Sequence, residues 1–309
     1  MARSKRLSFK DVTLTQLRSF CEVCRLGSYA AAAREALLTT PAVWEQVQAL
    51  ERHYGTPLVE RRGHGIVPTT EGLCLLALVR PHIAGIDSTR ELLQQDSGKL
   101  PEWLVLATNL RVLTEEISLG LRRFQRQHPQ VKLRVLYTGN DVDERIARGE
   151  ADIGFTLEPR PDAPYAREVA YEPAASVDYL LVAPRQHPLF RRKPLQLVSI
   201  TQFPLVLGIA ESYSRHRVQE ILQRYDLGHD LNVAVETTSD EYTLSCVRAG
   251  LGVGLMVGTG HGHFYRGLGV RSLRRWFGAA RIGFLWKQGA HVPPAQRALS
   301  RAIQECVAG

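Results

Sequence analysis

The chain has 309 residues, of which 44% are apolar and 23% are charged, and its formal net charge is +8 at pH 7. That length predicts two or three domains, and the balanced composition excludes a disordered or low-complexity protein. The positive charge favours a partner that is rich in phosphate, although many basic proteins bind no nucleic acid.

The cysteines and the N-terminal segment indicate the compartment. Five cysteines, an odd number that is widely scattered, argue against a disulfide framework and for a reducing environment. The basic segment Met1 to Lys10 is followed by no apolar stretch of signal-peptide length. The longest uninterrupted apolar run, Leu73 to Val79, is too short to span a bilayer. We therefore expect a cytoplasmic protein with no membrane anchor.

Three short helices are predicted between residues 13 and 54. The first has an apolar stripe with spacings of three and four residues, and it ends at Gly27. The second covers Tyr29 to Leu37 and is rich in alanine, which lets a neighbouring helix approach closely. The third is expected to be capped by Thr40 and to start at Pro41, because proline is favoured in the first helical turn.

The third helix has two distinct faces. Val43, Val47, Leu50 and Tyr54 follow one another at spacings of four, three and four residues, so they are expected to face the core. The opposite face has the geometry of a recognition helix, whose N-terminal outer surface meets base edges in the major groove. The candidate DNA-contacting residues of this region are Thr39, Thr40, Pro41, Trp44, Glu45 and Gln48.

The segment from Leu58 to Thr69 is predicted to form two short strands around a turn that is rich in glycine and basic residues. Such a ribbon is typical of a wing. Its residues Arg61, Arg62 and His64 are expected to lie along DNA phosphates, a contact that adds affinity and salt dependence without reading sequence.

This N-terminal region resembles the head of LysR-type transcription regulators. The segments that follow the family pattern in order and spacing are Leu17–Phe20, Gly27–Tyr29, Ala32–Ala33, Pro41–Val43, Leu50–Glu51 and Gly55–Arg61. The resemblance implies an N-terminal all-α winged helix-turn-helix that binds double-stranded promoter or operator DNA. A three-helix domain with no role in DNA binding is the alternative.

The base-reading face departs from the family pattern. Thr39 and Thr40 stand where LysR proteins commonly carry Ser-Gln, and Trp44 and Glu45 stand where they carry serine followed by a basic or amide residue. Trp44 is suited to contact thymine methyl groups, and Glu45 is suited to accept a hydrogen bond from a cytosine amino group. Alternatively, Trp44 packs within the head or against the wing, and Glu45 is a solvated helix charge. A typical LysR operator sequence therefore cannot be assumed.

A longer helix is predicted from Thr70 to about Gln95, and Pro81 inside it is expected to cause a kink. Its apolar stripe consists of Leu73, Leu76, Ile83, Ile86 and Leu93. In the LysR family this linker helix pairs with its twin, which implies a homodimer or homotetramer. Packing of the stripe on the chain's own effector domain is the alternative.

Strands and helices alternate beyond the break at Ser97 to Pro101, first up to Thr156 and again from Tyr179. This pattern predicts an α/β domain with parallel strands, crossover helices and two similar lobes. The LysR resemblance continues through Gly149–Gly154, His187–Leu189 and Val247–Gly254.

The resemblance implies how the chain is divided. It predicts the winged helix-turn-helix at residues 1–69, the linker helix at 70–97, a first effector lobe at 98–175 plus 277–309, and a second lobe at 176–276. Both lobes are expected to be Rossmann-like, as in type 2 periplasmic binding proteins.

The cleft between such lobes is the effector site of the family. Strands that lead into helix N-termini direct free backbone N–H groups into the cleft, which favours an anion, and we expect a carboxylate. By matching positions, the candidate contacts are Thr108, Asn109, Arg111, Ile209, Ser212, Tyr213, Ser214, Thr238 and Ser239. Alternatively, Thr108, Ser212 and Ser239 only cap helices and Arg111 is exposed to solvent.

No motif of the sequence indicates catalysis or a cofactor. Cys21 and Cys24 have the spacing of half a zinc site but lack a second pair at a suitable distance, so core packing is favoured. Gly250–Gly254 lacks the spacing of a dinucleotide fingerprint, and His261 with His263 lacks a third metal ligand. We expect a small-molecule-responsive regulator and no enzyme, cofactor or metal. The alternatives are a two-lobed solute-binding protein and a DNA-bound structural protein whose cleft is unresponsive.

Overall fold

The computed structural model describes residues 12–96, 100–110, 113–160, 164–191, 194–229 and 231–308. The chain divides into two compact units. The first unit takes in Met1–Gln94 and Lys287–Val292, and the second takes in Gln95–Trp286 and Pro293–Gly309. In the described residues, no helix combines the length and the apolar character that crossing a bilayer requires.

The first unit has the predicted order of helices, ribbon and long helix. Its elements are α1 (Leu14–Leu26), α2 (Tyr29–Glu35), α3 (Thr40–Tyr54), β1 (Val59–Arg62), β2 (Gly65–Pro68) and α4 (Thr70–Asp96). The strands β1 and β2 pair antiparallel around Gly63 and His64, which confirms the predicted ribbon. At the end of α1, Gly27 adopts a left-handed conformation with φ of 64°, which confirms the predicted stop.

Three details of the predicted helices are wrong. Thr39, not Thr40, caps α3, because the Thr39 hydroxyl accepts a hydrogen bond from the Ala42 N–H at 3.4 Å. The second helix ends at Glu35, and Leu37 has a positive φ of 55°, which no helical residue adopts. Tyr54 is 44% exposed and does not face the core, because it is the last residue of α3 and the chain turns away at once.

The core of the first unit lies where α1, α2 and α3 meet. Phe20 and Val23 of α1 pack with Val43, Val47 and Leu50 of α3, and all five side chains are fully buried. The period of the apolar residues therefore determines which face of α3 remains exposed.

The linker helix α4 leaves much of its predicted stripe uncovered. Leu76 is buried, whereas Leu73 and Ile86 are each 48% exposed and Leu93 is 70% exposed. The segment Lys287–Val292 packs on the same helix, and the Ser88 hydroxyl accepts a hydrogen bond from the His291 N–H at 3.1 Å.

The second unit is an α/β domain. Its strands are β3 (Trp103–Thr108), β4 (Lys132–Tyr137), β5 (Ile153–Leu157), β6 (Val169–Pro184), β7 (Leu205–Gly208), β8 (Val233–Thr237), β9 (Val253–Gly258), β10 (Leu268–Ser272) and β11 (Ala279–Lys287). Its helices are α5 (Thr114–Gln127), α6 (Val142–Arg148), α7 (Leu197–Thr201), α8 (Tyr213–Arg224), α9 (Asp240–Arg248), α10 (Arg274–Phe277) and α11 (Pro294–Ala308).

Two sets of parallel strands repeat the same arrangement. In the described residues the sheet runs β4-β3-β5-β11-β6-β9-β7-β8, with β10 beside β6. The strand β3 pairs parallel with β4 and β5, and β7 pairs parallel with β8 and β9. In each set the first strand along the chain therefore lies between the other two, as expected for two related α/β lobes.

The two predicted sets of strands are parallel, and the sheet as a whole is mixed. The strands β6, β10 and β11 pair antiparallel with their neighbours. The strand β6 also begins at Val169, ten residues before the predicted start at Tyr179. No alternation of apolar and polar residues predicts the first half of this strand.

Candidate DNA interface and effector site

The N-terminal end of α3 presents most of the predicted DNA contacts to solvent. Trp44 is 50% exposed, and Thr39, Thr40, Pro41 and Glu45 are exposed as well. The Thr39 hydroxyl is engaged as the helix cap. The ring of Trp44 is half exposed and does not pack fully within the head, so it can be contacted from outside the protein.

A glutamate that was not predicted as functional connects α3 to the ribbon. Glu51 Oε1 accepts hydrogen bonds from the backbone N–H groups of Leu58 at 2.8 Å and Val59 at 3.2 Å. Glu51 Oε2 accepts a hydrogen bond from Gln48 Nε2 at 2.5 Å. The side chain of Gln48, a predicted DNA contact, is only half exposed. The carboxylate therefore fixes the start of β1 relative to the recognition helix.

The basic residues of the ribbon are accessible. Arg61, Arg62 and His64 are all exposed around the turn between β1 and β2. The ribbon is anchored to the end of α1, because the Gly27 carbonyl accepts a hydrogen bond from the Ile66 N–H of β2 at 2.8 Å. An anchored ribbon with exposed arginines at its turn is the form expected of a phosphate-contacting wing.

The two cysteines of α1 pack in the core of the head. Cys21 is buried and Cys24 is half-buried. Burial raises the pKa of the Cys21 thiol to about 11 and that of the Cys24 thiol to about 12, so both stay protonated near neutral pH. In the described residues, no three His, Cys, Asp or Glu side chains form a group that could hold a metal ion.

The end of β3 is connected to the end of β5 by side chains. Asn109 Oδ1 accepts a hydrogen bond from Thr156 Oγ1 at 2.9 Å, and Tyr165 Oη lies 3.2 Å from the same hydroxyl. Tyr165 also donates to the Leu157 carbonyl at 2.5 Å. Thr108 is only 4% exposed, and its hydroxyl accepts from the Leu110 N–H. Of the two predicted residues, Asn109 is thus the more accessible, and Arg111 lies outside the described residues.

Tyr213, the first residue of α8, interacts electrostatically with Tyr165. Burial raises the pKa of Tyr213, and the nearby Glu158 carboxylate raises it further. Burial also raises the pKa of Tyr165 to about 12, and a charge on Tyr213 contributes to that rise. Burial raises the pKa of Tyr171 as well, and charges on Tyr165 and Tyr213 contribute to that rise. We call Tyr165, Tyr171 and Tyr213 the tyrosine cluster, because their charges act on one another; Tyr165 also belongs to the Asn109 network through Thr156.

A buried arginine fixes α8 against the parallel strands. Arg215 is 7% exposed, and its Nη1 donates to the Gly208 carbonyl at 3.3 Å and to Glu236 Oε1 at 3.0 Å. The Ser212 hydroxyl accepts a hydrogen bond from the Arg215 N–H at 3.3 Å and so caps the helix. These bonds hold Tyr213 and its neighbour Ser214, both half-buried, at the end of β7.

The remaining predicted contacts lie at the ends of β7 and β8. The Ile209 N–H donates to the Thr237 carbonyl at 2.9 Å, which places Ile209 beside Thr238 and Ser239. Thr238 is exposed, and Ser239 is the first residue before α9. The Ser239 carbonyl accepts hydrogen bonds from the hydroxyls of Thr237 and Thr243.

Sequence reasoning missed several of the residues that organise these sites. They are Glu51, Thr156, Tyr165, Tyr171 and Arg215. Thr156 ends the predicted strand that corresponds to β5, and the ends of parallel strands are where α/β proteins bind ligands, so this position is a signal that could have found it. Tyr165 and Tyr171 lie in a connection and in the early part of β6, and no spacing pattern marks them.

Two family models together match most of the chain. The model described as "LysR substrate binding domain" matches residues 119–307, and "Bacterial regulatory helix-turn-helix protein, lysR family" matches residues 14–73. The chain belongs to the LysR family. It is a LysR-type transcription regulator, in which a DNA-binding helix-turn-helix precedes a two-lobed effector-binding domain.

Named LysR proteins are similar to this regulator over most of its length. The transcriptional activator CmpR of Synechocystis is 29% identical over 251 residues, which are 80% of this chain and 79% of CmpR. The regulator CbbR of Rhizobium meliloti is 30% identical over 249 residues, which are 79% and 76% of the two chains. The full-length structure of a Pseudomonas aeruginosa OxyR variant shares the fold with a TM-score of 0.64 and 20% identity, covering 96% of this chain and 95% of OxyR.

Proposed function

We propose that this LysR-type regulator binds promoter DNA in the cytoplasm as a homo-oligomer and responds to a small carboxylate held near the tyrosine cluster. The observation that carries the effector proposal is the hydrogen-bonded network of Asn109, Thr156 and Tyr165 at the ends of β3 and β5, together with the electrostatic influence of Tyr213, at the start of α8, on Tyr165. One ligand at this point contacts both sets of parallel strands.

The expected ligand charge follows from α8. The first N–H groups of a helix lack partners within it, and they carry the positive end of the helix dipole. With Tyr213 and Ser214 in the first turn, the amide groups and hydroxyls of this end are suited to bind carboxylate oxygens. We propose as effector contacts Asn109, Ile209, Tyr213, Ser214, Thr238 and Ser239, with Thr108 and Ser212 positioning them and Arg111 adding charge.

The proposed division of the effector domain keeps the boundaries that the sequence predicts. The strands β3, β4, β5 and β11 fall in the first lobe, at 98–175 plus 277–309, and β7 to β10 fall in the second, at 176–276. The long strand β6 passes across the boundary. The pairing of β11 with β5 supports the return of the chain to the first lobe.

For the head, we propose that Trp44 and Glu45 read bases and that Arg61, Arg62 and His64 contact phosphates. The exposure of all five side chains supports this assignment.

One head buries too little DNA surface for specific affinity, so we propose that a pair of heads binds two half-sites. The uncovered apolar residues of α4, Leu73, Ile86 and Leu93, support pairing through the linker helix. We propose that the protein acts through binding and not through catalysis.

Chromatin occupancy in living cells tests the function. We expect a small number of narrow peaks, each at a promoter, because specific binding must exceed binding to all competing sites. The measurement is immunoprecipitation of the crosslinked protein followed by sequencing. Even coverage of the chromosome would instead support a structural DNA-binding protein, and an absence of peaks would support a solute-binding protein.

Replacing Arg62 with alanine tests the wing. We expect affinity to fall by a similar factor on specific and on random DNA, because a phosphate contact carries no sequence information. The slope of log affinity against log salt concentration should become shallower by about one for each head that loses the contact. Fluorescence anisotropy over a salt series measures both effects, with the exposed Arg301→Ala of α11 as the control. A loss confined to the specific site would contradict the phosphate assignment.

A further inference from the structure

A cavity of about 430 Å³ lies in the second unit between α9 and the residues that follow β9. Its lining consists of Glu241, Ser245, Arg248, His263, Phe264 and Arg266. None of these six residues belongs to the proposed effector contacts near the tyrosine cluster. We infer that this cavity is a second ligand site, which binds a small phosphorylated molecule that carries hydroxyl groups.

The cavity has two walls of different origin. Glu241, Ser245 and Arg248 are spaced by four and three residues, so they share one face of α9. The opposite wall is a single 3₁₀ turn, His263–Tyr265, followed by Arg266. Arg248 Nη2 donates a hydrogen bond to the Phe264 carbonyl, which connects the walls and orients the Arg248 guanidinium.

The chemistry of the lining selects the ligand class. Arg248 and Arg266 come from different walls, and each guanidinium can donate two hydrogen bonds to a pair of oxygens. A tetrahedral phosphate has three free oxygens to share between two such groups, whereas a planar carboxylate has only two. The Glu241 carboxylate repels an anion but accepts hydrogen bonds from hydroxyl groups, so the uncharged end of the ligand is expected beside it.

The wall that carries Arg266 is held in place by the first turn of α5. Glu115 Oε1 accepts a hydrogen bond from the His263 N–H at 2.7 Å, and Glu116 Oε1 accepts from Thr259 Oγ1 at 3.2 Å. Tyr265 is buried beneath the wall, with 5% of its surface exposed. A ligand that binds Arg248 and Arg266 together therefore contacts a segment that is hydrogen-bonded to α5. The helix α5 follows β3, the first strand of the set formed by β3, β4 and β5.

Calorimetric titration of the full-length protein with glycerol 3-phosphate tests this inference. We expect saturable binding of glycerol 3-phosphate, weaker binding of inorganic phosphate, and no binding of glycerol. Arg266→Ala should weaken binding about tenfold, the size of one lost charge-assisted hydrogen bond. Arg266 is exposed, so the variant should unfold at the wild-type temperature, which the same preparation can confirm.

The controls separate a specific site from general attraction to a basic protein. Arg301→Ala removes an exposed arginine of α11 and should leave binding unchanged. Hydrogen exchange should slow on adding glycerol 3-phosphate at α9 and at residues 259–266, and not around Tyr213. The inference is overturned by equal binding in wild type and Arg266→Ala, by an equal loss in Arg301→Ala, by equal binding of glycerol or glycerate, or by no binding at all. None of these outcomes affects the proposed DNA recognition or the site at the tyrosine cluster.

Discussion

Replacing Glu51 with alanine will weaken binding to specific DNA by about tenfold or more, and it will lower the stability of the head. The Glu51 carboxylate accepts hydrogen bonds from the N–H groups of Leu58 and Val59, and Leu58 is 1% exposed. A buried donor that loses its acceptor costs about 1–3 kcal/mol. The wing must hold its position relative to α3 in order to bind DNA, so this cost also lowers the free energy of DNA binding. A loss of about 1.4 kcal/mol in binding free energy lowers affinity tenfold.

Two further variants show whether the acceptor oxygen is responsible. Glu51→Gln keeps a side-chain carbonyl in place of Oε1, so it should retain most of the affinity and most of the stability. Glu71→Ala removes an exposed acidic residue in the first turn of α4 and should have little effect. Anisotropy measures affinity on a DNA fragment selected by the wild-type protein, and urea unfolding measures stability. Wild-type affinity in Glu51→Ala would show that the wing is positioned by other contacts.

Much of the head follows directly from its sequence. The apolar residues Val43, Val47 and Leu50 repeat with the helical period, and the period alone determined which face of α3 is buried. The end of α1 was predictable because Gly27 adopts a positive φ that other residues avoid. The cap of α3 was not, because Thr39 and Thr40 are chemically equivalent caps and only the backbone geometry distinguishes them.

The effector site was predictable only in part, for a different reason. Asn109 and Tyr213 are candidate contacts by matching positions in the LysR family, and the ends of parallel strands are where α/β proteins bind ligands. The contacts that join them are long-range. Thr156 lies 47 residues from its partner Asn109, and Glu236 lies 21 residues from Arg215. Pairings at such separations depend on how the strands are ordered in the sheet, which the local pattern does not specify.

Strand order could not be read from the chain for the same reason. The sequence predicted alternating strands and helices, and it predicted two lobes, both of which agree with the repeated parallel sets. It predicted that residues 277–309 return to the first lobe, but it did not predict that β6 extends over 16 residues or that β11 pairs with β5. Antiparallel pairing of strands distant in sequence leaves no mark on the spacing of apolar residues along either one.

Replacing Gly120 with alanine should destabilise the effector domain by about 1–3 kcal/mol or more, the usual cost of overpacking a core. Gly120 of α5 is buried against Ile303 of α11. A Cβ atom there would lie 2.6 Å from Ile303 Cα and 2.9 Å from Ile303 N. Both are backbone atoms and cannot rotate away, so one helix must shift. Alanine is favoured over glycine inside a helix by about 1 kcal/mol, which offsets only part of this cost.

The same substitution at Gly139 is the matched control for Gly120→Ala. Gly139 is exposed, and a Cβ atom there would meet nothing within 4 Å. Alanine at such a site should be neutral or stabilise by up to about 1 kcal/mol, since it reduces the entropy of the unfolded chain. Urea unfolding of the full chain gives the two free energies, and hydrogen exchange of α5 and α11 locates the loss. If Gly120→Ala were as stable as Gly139→Ala, α5 and α11 would have to be farther apart than the distances from Gly120 to the Ile303 backbone indicate.

The helix α5 also holds the wall of the second cavity through Glu115 and Glu116. A shift of α5 in Gly120→Ala should therefore also increase hydrogen exchange at residues 259–266.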